Sequence, residues 1–338
     1  MIIGIDTSCY TTSIAVIDQE KNLLVEKRRI LDVAKGSRGL AQSAALFQHI
    51  REGRAVFQAA LAELGQHKQS VQGVCVSSCP RPQKDAYMPV FLAGVFAAEL
   101  LAGAYQTPLY HTSHQEGHLM AGIQTAHMPN CQQFLAVHLS GGTSELLLVR
   151  QKPTGFAVTL LGGSKDLHAG QLVDRVGVAL GLPFPCGPAL DQMAMEGAAR
   201  QDGGNKIRFR SYCQGYTFSF SGLEMQALQR IKAAQQQGEL SIQQYLIAQG
   251  VFQGIANTLE KLLREAVQQH QIYDVLLVGG VAGSNYLRQR LHHRLDGCCQ
   301  LYFAEPYYSK DNAYGVALLG LQQHLAAKRA GKKKQSEN

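Results

Sequence analysis

The feature of the sequence that most constrains its fold is a duplicated pattern, in which two largely apolar runs flank a short polar segment. The first copy covers residues 2–18 around the polar segment 7–13, and the second covers 134–149 around 140–145. Apolar runs joined by a short segment rich in Gly, Ser and Thr predict β-hairpins. The tips of such hairpins present backbone N–H groups and hydroxyls, which can bind an anion. Two copies therefore predict two similar lobes that face each other across one ligand.

A third glycine-rich turn follows a predicted strand near the end of the chain. The apolar run 273–278 leads into the turn 279–284, GGVAGS, and residues 285–291 begin a helical pattern. A strand, a glycine turn and a helix N-terminus is a common way for an α/β protein to bind a nucleotide. Helical periodicity over 41–65 and 245–268 occupies much of the chain between these turns.

The order of these turns predicts an α/β protein with the actin-like ATPase (ASKHA) fold, two RNase H-like lobes with a nucleotide cleft between them. We expect an N-terminal lobe over residues 1–127, completed by a C-terminal helix near 312–328, and a C-terminal lobe over 128–311. The basic segment 329–338 is expected to be a disordered tail. A Rossmann domain is excluded because no G-x-G-x-x-G follows the first strand, and a P-loop because no G-x-x-x-x-G-K-[ST] occurs.

Composition sets wider limits on the class of protein. The chain has 338 residues, 46% of them apolar, which suffices for two lobes with a core. No run reaches the roughly 18 apolar residues of a membrane span, and the start lacks the features of a signal peptide, so we expect a cytoplasmic protein with no membrane partner. The eight cysteines are scattered and predict free thiols. A net charge of +7 permits a nucleic-acid partner without demonstrating one.

A candidate metal site is present in the segment 114–118, His-Gln-Glu-Gly-His. Residues four apart lie on one face of a helix, so both imidazoles can bind one ion. In the metalloprotease motif H-E-x-x-H the glutamate directly follows the first histidine and can act as a base. Glu116 instead lies midway between His114 and His118 and would point away from them. A protease is therefore not expected.

Several separated segments together resemble the TsaD family of tRNA threonylcarbamoyltransferases, once described as glycoproteases. The segments match the family's motifs in order from residue 4 to residue 317. They are Gly4-Ile5-Asp6-Thr7-Ser8-Cys9, the His114–His118 motif, Ser140-Gly141-Gly142, Ala169–Arg175, Leu180–Pro188, Phe218–Leu223 and Asp311-Asn312-Ala313.

The resemblance implies a set of binding residues. Asp311 would join His114 and His118 on one divalent ion, iron or zinc, with magnesium as an option when nucleotide is bound. An adenine nucleotide (threonylcarbamoyl-AMP, ATP or ADP) would place its phosphates on the hairpin tip formed by Ser140, Gly141, Gly142 and Thr143. The ribose and adenosine sides would be held by Asp174, Gly187, Asp191, Gly280, Ser284 and Asn285. No side chain is an obvious general base, so none is assigned as catalytic.

His138 is a further candidate metal ligand. It lies two residues before the Ser-Gly-Gly turn, where archaeal and eukaryotic members of the family carry a tyrosine that touches the metal. Its position at the end of a strand would allow it to act as a fourth ligand beside two histidines and an aspartate. The alternative is a core histidine hydrogen-bonded to the backbone.

The function that the resemblance implies is transfer of a threonylcarbamoyl group from threonylcarbamoyl-AMP to N6 of the adenosine beside a tRNA anticodon. The expected partners are tRNA, TsaB-like and TsaE-like pathway proteins, and a second subunit in a homo- or heterodimer. Two alternatives stay open. One is a nucleotide-binding protein that regulates the pathway without modifying tRNA, and the other is a related carbamoyl-type transferase or ATPase with a non-tRNA substrate.

Departures from the family pattern make the second of these alternatives plausible. The family's acidic pair after the first Ser-Cys is replaced by Tyr10-Thr11, and its G-P-G-L segment by residues 79–82, Cys-Pro-Arg-Pro. The chain is thus expected to be a divergent bacterial paralogue. We hypothesise that Arg81, Lys84 and Tyr87 form a new acceptor or partner surface.

Overall fold

The structure is a computed structural model that describes residues 1–336 except residues 9, 34–39, 84 and 200–206, with side chains described as far as residue 331. The first half of the chain forms a five-stranded sheet in the order β3-β2-β1-β4-β5. Neighbours are antiparallel from β3 to β1 and parallel from β1 to β5. The strands are β1 (Ile2–Asp6), β2 (Thr11–Ile17), β3 (Leu23–Ile30), β4 (Gly73–Cys79) and β5 (Leu109–Ser113).

The second sheet has seven strands in the order β12-β11-β6-β7-β8-β10-β9. The strands are β6 (Gln133–Leu139), β7 (Ser144–Lys152), β8 (Gly155–Ser164), β9 (Tyr212–Gln214), β10 (Thr217–Ser219), β11 (Asp274–Val278) and β12 (Gln300–Phe303). Its core order from β8 through β7, β6 and β11 to β12 repeats the order of the first sheet from β3 to β5. The duplication predicted from the two hairpin patterns is therefore confirmed at the level of topology.

Nine α-helices are present in the described part of the chain. They are α1 (Gln42–Leu64), α2 (Phe91–Tyr105), α3 (His114–Thr125), α4 (Ala169–Ala179), α5 (Gly187–Ala199), α6 (Ser221–Gln236), α7 (Leu240–His270), α8 (Asn285–Leu295) and α9 (Tyr314–Ser336). α1 and α7 correspond to the two helical patterns predicted at 41–65 and 245–268. In the described residues, none of these helices has the combination of length and apolar content that crossing a membrane requires.

Helices α3 and α9 occupy equivalent places in the two halves, because each follows the last strand of its sheet. Leu119 of α3 packs into an apolar cluster with the strands of the second sheet, whereas Ala317 of α9 packs against β1 and β2 of the first. The lobe boundary expected at 127/128 falls between α3 and β6. The sequence predicted a disordered tail from residue 329, whereas α9 continues to Ser336. The physical reason is that the Ala and Lys residues of this segment are strong helix formers.

A candidate metal and nucleotide site

The N-terminus of α3 is fixed by a reciprocal capping box. Ser113 accepts a hydrogen bond from the Glu116 backbone N–H, and Glu116 Oε2 accepts from the Ser113 backbone N–H at 3.0 Å. Glu116 Oε2 also accepts from the Thr112 hydroxyl, and Oε1 from the Phe156 N–H at 3.3 Å. The carboxylate therefore holds the helix start, a role that its position between the two histidines did not predict.

The approach of α9 to α3 depends on two glycines. A Cβ on Gly315 would lie 1.9 Å from the Gly117 carbonyl oxygen, a distance that no real side chain adopts. A Cβ on Gly117 would meet Val316 at 3.1 Å. With neither Cβ present, the two helix backbones lie in contact. The turn that carries Asp311, just before α9, is thereby brought to the N-terminus of α3.

Three predicted ligands meet at this crossing. His114 Nε2 and His118 Nε2 are 3.1 Å apart, and Asp311 Oδ1 lies 3.6 Å from the first and 3.3 Å from the second. Ligand atoms at about 2.0–2.1 Å from a tetrahedral zinc would be about 3.3 Å apart. The donor atoms thus have the spacing that one ion requires. No other such group of three or more occurs among the residues that the structure describes.

Asp6, which the sequence analysis did not assign, orients His114. Its Oδ1 lies 3.2 Å from His114 Nδ1, and it accepts hydrogen bonds from Ser8 at 2.5 Å and from Ser77. A carboxylate on one imidazole nitrogen leaves the other free to bind a metal. Asp6 ends β1, and only its approach to α3 in the fold reveals the contact. No local sequence pattern would have identified it.

Electrostatic attraction couples Asp6 and His114. Burial disfavours charge on both groups, but their mutual attraction and hydrogen bond outweigh it. The pKa of Asp6 is held at about 2 and that of His114 is raised to about 9. Without an ion, His114 therefore keeps a proton at neutral pH. A divalent ion that binds there must displace this proton.

His138 adjoins the triad from the end of β6. Its ring centroid is 5.0 Å from that of His118, and the side chain is buried. Among the residues that the structure describes, neither of its ring nitrogens has a hydrogen-bond partner, and the same is true of His118 Nδ1. Burial, followed by the nearby His118 and His114, lowers the pKa of His138 well below its ordinary value, so the ring is neutral. No described backbone group forms the hydrogen bond that would explain a core histidine.

The Ser-Gly-Gly hairpin tip follows directly after this strand. The Ser140 N–H donates to the Thr143 carbonyl at 2.7 Å, and the Gly170 N–H at the start of α4 donates to the Ser140 carbonyl at 3.0 Å. A Cβ on Gly170 would lie 2.6 Å from the Gly141 nitrogen, so the helix end is packed tightly against the tip. On Gly141 and Gly142 a Cβ would meet nothing within 4 Å. The start of α4 therefore supports the tip on one side, and the other side of the tip is open.

The other predicted nucleotide residues fall into two groups. Gly187 and Gly280 also have open space where a Cβ would be, so a ligand could approach their backbone. Asp191, in contrast, is committed to the structure. Its carboxylate accepts from the Ser284 hydroxyl at 2.5 Å and from the Asn285 N–H at 2.9 Å, and thus caps α8.

Asp174, on α4, lies between these two groups, because its carboxylate is hydrogen-bonded within the protein but less extensively than that of Asp191. Its Oδ1 accepts from the Cys186 N–H at 2.8 Å. Burial raises the pKa of Asp174, an effect that this hydrogen bond only partly offsets. Contacts of Asp174 and Asp191 with a ribose stay predictions.

An ion pair links the segment after β4 to the second sheet. Arg81 Nη2 lies 2.7 Å from Glu145 Oε1 on β7, and Gln115 donates to Glu145 Oε2 at 3.3 Å. Arg81 belongs to the hypothesised acceptor or partner surface, and its guanidinium is paired with Glu145. Its role in such a surface stays a prediction. Tyr87 is 67% exposed, and Lys84 lies outside the described residues.

Comparison with solved structures supports the architecture. Component A of the (R)-2-hydroxyglutaryl-CoA dehydratase of Acidaminococcus fermentans matches with a TM-score of 0.55 at 14% identity, covering 96% of this chain and 98% of that one. HypF of T. kodakarensis matches with a TM-score of 0.58 at 13% identity, covering 97% of this chain and 47% of HypF. The fold and the triad define a two-lobed protein of the actin-like ATPase class with a candidate metal centre between its helices.

Sequence comparison identifies the family within that class. Residues 32–318 match the family model TsaD, described as tRNA N6-adenosine threonylcarbamoyltransferase. The chain is 30% identical to the tRNA N6-adenosine threonylcarbamoyltransferase of Geobacillus kaustophilus, with 97% of this chain and 93% of the relative covered. The corresponding protein of Geobacillus thermodenitrificans is 29% identical with the same coverage. The chain belongs to the TsaD family.

Proposed function

We propose that this protein transfers a threonylcarbamoyl group from threonylcarbamoyl-AMP to N6 of the adenosine beside a tRNA anticodon, in a metal-dependent reaction. The observation that carries the proposal is the convergence of His114, His118 and Asp311 next to an open glycine hairpin tip, in a chain of the TsaD family. The cytoplasm, where tRNA is found, is the expected location.

His114, His118 and Asp311 would hold the ion, with His138 as a fourth ligand. Imidazole and carboxylate donors suit iron and zinc, and magnesium remains an option when nucleotide is bound. The bound ion would supply positive charge to the phosphate of the adenylate leaving group. Asp6 holds His114 Nδ1 and would thereby leave His114 Nε2 free to bind the ion.

The hairpin tip from Ser140 to Thr143 would bind the phosphate through backbone N–H groups. Gly187 and Gly280 would allow the nucleotide to approach the backbone, and Asp174, Asp191, Ser284 and Asn285 would border the ribose and adenosine. The reaction breaks the bond between the carbamoyl carbon and the phosphate oxygen and forms a bond from that carbon to N6. AMP leaves and the amine loses one proton. Catalysis would come mainly from positioning the two reactants.

One observation favours a second candidate, a related carbamoyl-type transferase with another acceptor. Where the family has an acidic pair, this chain has Tyr10-Thr11, and the Tyr10 ring packs edge-on to Phe184 with centroids 6.3 Å apart. Tyr10 and Thr11 are uncharged, so their presence in place of two carboxylates would remove negative charge from the acceptor side. A non-modifying regulator is less well supported, because the complete triad would then have no use. TsaB-like and TsaE-like proteins, and a second subunit, are proposed partners in either case.

The experiment is complementation of a bacterial strain that lacks its own TsaD, with tRNA nucleosides measured by mass spectrometry. The proposal predicts restored threonylcarbamoyladenosine with the wild-type chain, and none with His118→Ala. His293→Ala, which removes an exposed histidine on α8, should restore the modification fully. If the folded, metal-loaded wild-type chain restores none, the tRNA acceptor is wrong and the second candidate takes its place.

A further inference from the structure

The second lobe contains a cavity of about 690 Å³ that shares no residue with the metal triad or the glycine turns. Its walls are the segment from Ile207 to Phe209, one face of α6 and the first two turns of α7. A volume of this size is typical of sites for small organic ligands. Neither the family match nor the proposed reaction assigns it a role.

The walls of the cavity are held in place by specific contacts. The Gln226 side chain on α6 donates to the Arg210 carbonyl at 3.1 Å and accepts from the Arg210 N–H at 2.9 Å. Phe209 packs against α7 at Gly250, where a Cβ would lie 2.9 Å from the ring. These contacts fix the segment to both helices, so the cavity is formed before any ligand binds.

The lining combines an apolar floor with unpaired positive charge. Phe209 and Leu246 contribute apolar surface, and Ile242 at the rim is 67% exposed. Arg208 and Arg230 also line the cavity, and within the described residues neither forms an ion pair or a hydrogen bond. Among the described lining residues Glu239 is the acidic one, and its carboxylate already accepts a hydrogen bond from Gln243.

We propose that this cavity binds a small amphipathic anion, with its carboxylate, phosphate or sulfonate group at Arg208 and Arg230 and its apolar body on Phe209 and Leu246. Charge complementarity supports an anion, because in the described part of the chain Arg208 and Arg230 have no anionic partner, whereas the Glu239 carboxylate already accepts a hydrogen bond. The apolar floor and concave shape favour a small molecule over an RNA backbone, which would need an open basic surface. The site is independent of the metal centre, so the proposal does not rest on the proposed function.

The test is a fluorescence titration of the full-length protein with 1-anilinonaphthalene-8-sulfonate, an aromatic monoanion. We expect one saturable site per chain. The matched neutral dye N-phenyl-1-naphthylamine should bind at least about tenfold more weakly, because it lacks the anionic group. The double variant Arg208→Ala/Arg230→Ala should bind the anionic dye at least about tenfold more weakly than the wild type. Both arginines are exposed, so the variant should fold, and its melting temperature checks this.

Two control variants separate this site from general dye binding. Lys232→Ala removes a positive charge two residues along α6, on a different face of the helix, and should leave the dissociation constant unchanged. Phe96→Ala removes an exposed ring from α2 and should do the same. Decanoate or decyl phosphate should displace the anionic dye, and decanol should not.

Several results would overturn the proposal. They are equal binding of the two dyes, unchanged binding by the double variant, an equal loss in Lys232→Ala, and no saturable binding at all. Displacement of the dye by tRNA but not by decanoate or decyl phosphate would assign the cavity to RNA and would likewise overturn the proposal.

Discussion

Replacing Gly315 by alanine should disrupt the metal triad although Gly315 touches no ligand. The added Cβ would lie 1.9 Å from the Gly117 carbonyl oxygen and 2.9 Å from the Ala121 nitrogen, and real Cβ contacts are essentially never under 3.0 Å. Because both atoms belong to the α3 backbone, no side chain can move to make room. The helices must separate by at least 3.0 minus 1.9, about 1.1 Å. Overpacking of this kind costs about 1–3 kcal/mol of stability.

The same displacement should be far larger than the metal site tolerates. Ligand distances in functional metal sites stay within about 0.2 Å of their ideal values. A shift of about 1 Å between α3 and the turn that carries Asp311 should therefore remove one ligand. Losing only a contact that supports a ligand costs up to about 100-fold in metal affinity, so metal affinity should fall by at least about 100-fold here. The assays are urea denaturation of the metal-free protein and competition titration of zinc or iron(II) against a chelator.

Gly103→Ala is the matched control, because Gly103 lies in α2 and its Cβ would meet nothing within 4 Å. There the substitution should leave metal affinity unchanged and raise the free energy of unfolding by about 0.5–1 kcal/mol through helix propensity. If Gly315→Ala keeps wild-type metal affinity, the α3–α9 contact does not position the triad.

Three further predictions concern single side chains. Asp6→Asn should lower metal affinity by about 10- to 100-fold while Asp311 remains in place, because His114 loses its orienting carboxylate; the same chelator competition measures it, and unchanged affinity would contradict that role. His138→Leu should lower metal affinity at least about tenfold if His138 is a ligand, whereas a purely packing role would leave affinity intact and change only the melting temperature. Burial lowers the pKa of His49 from 6.5 to about 4, so the unfolded chain binds a proton below pH 6.5 that the folded chain does not. The free energy of unfolding should then fall by about 2–3 kcal/mol from pH 7 to pH 4 through this group. The free energy of unfolding measured by urea denaturation should therefore depend less steeply on pH for His49→Gln than for the wild type.

Much of the fold follows from local sequence patterns. A hairpin needs only alternating apolar runs and a turn, and both occur within about twenty residues, so the two copies at 2–18 and 134–149 were visible in the sequence. The matching strand orders of the two sheets then follow from duplication. The long periodic helices α1 and α7 were predicted for the same reason.

The site was only partly predictable, because its members come from distant parts of the chain. The pair His114 and His118 is local and was found by helical spacing, whereas Asp311 was found only through the family resemblance. Asp6 and His114, which are in contact, lie 108 positions apart in the chain (114 minus 6). Arg81 and Glu145, which form an ion pair, lie 64 positions apart (145 minus 81). Such contacts arise from packing between elements.

The existence of a metal site at His114, His118 and Asp311 can be tested through the metal content of the purified protein, measured by elemental mass spectrometry after equilibrium dialysis against zinc or iron(II). We expect one ion per chain in the wild type and in Asp85→Ala, a control at an exposed aspartate, and almost none in Asp311→Ala. If Asp311→Ala retains one tightly bound ion, or the wild type binds none, then His114, His118 and Asp311 do not form a metal site.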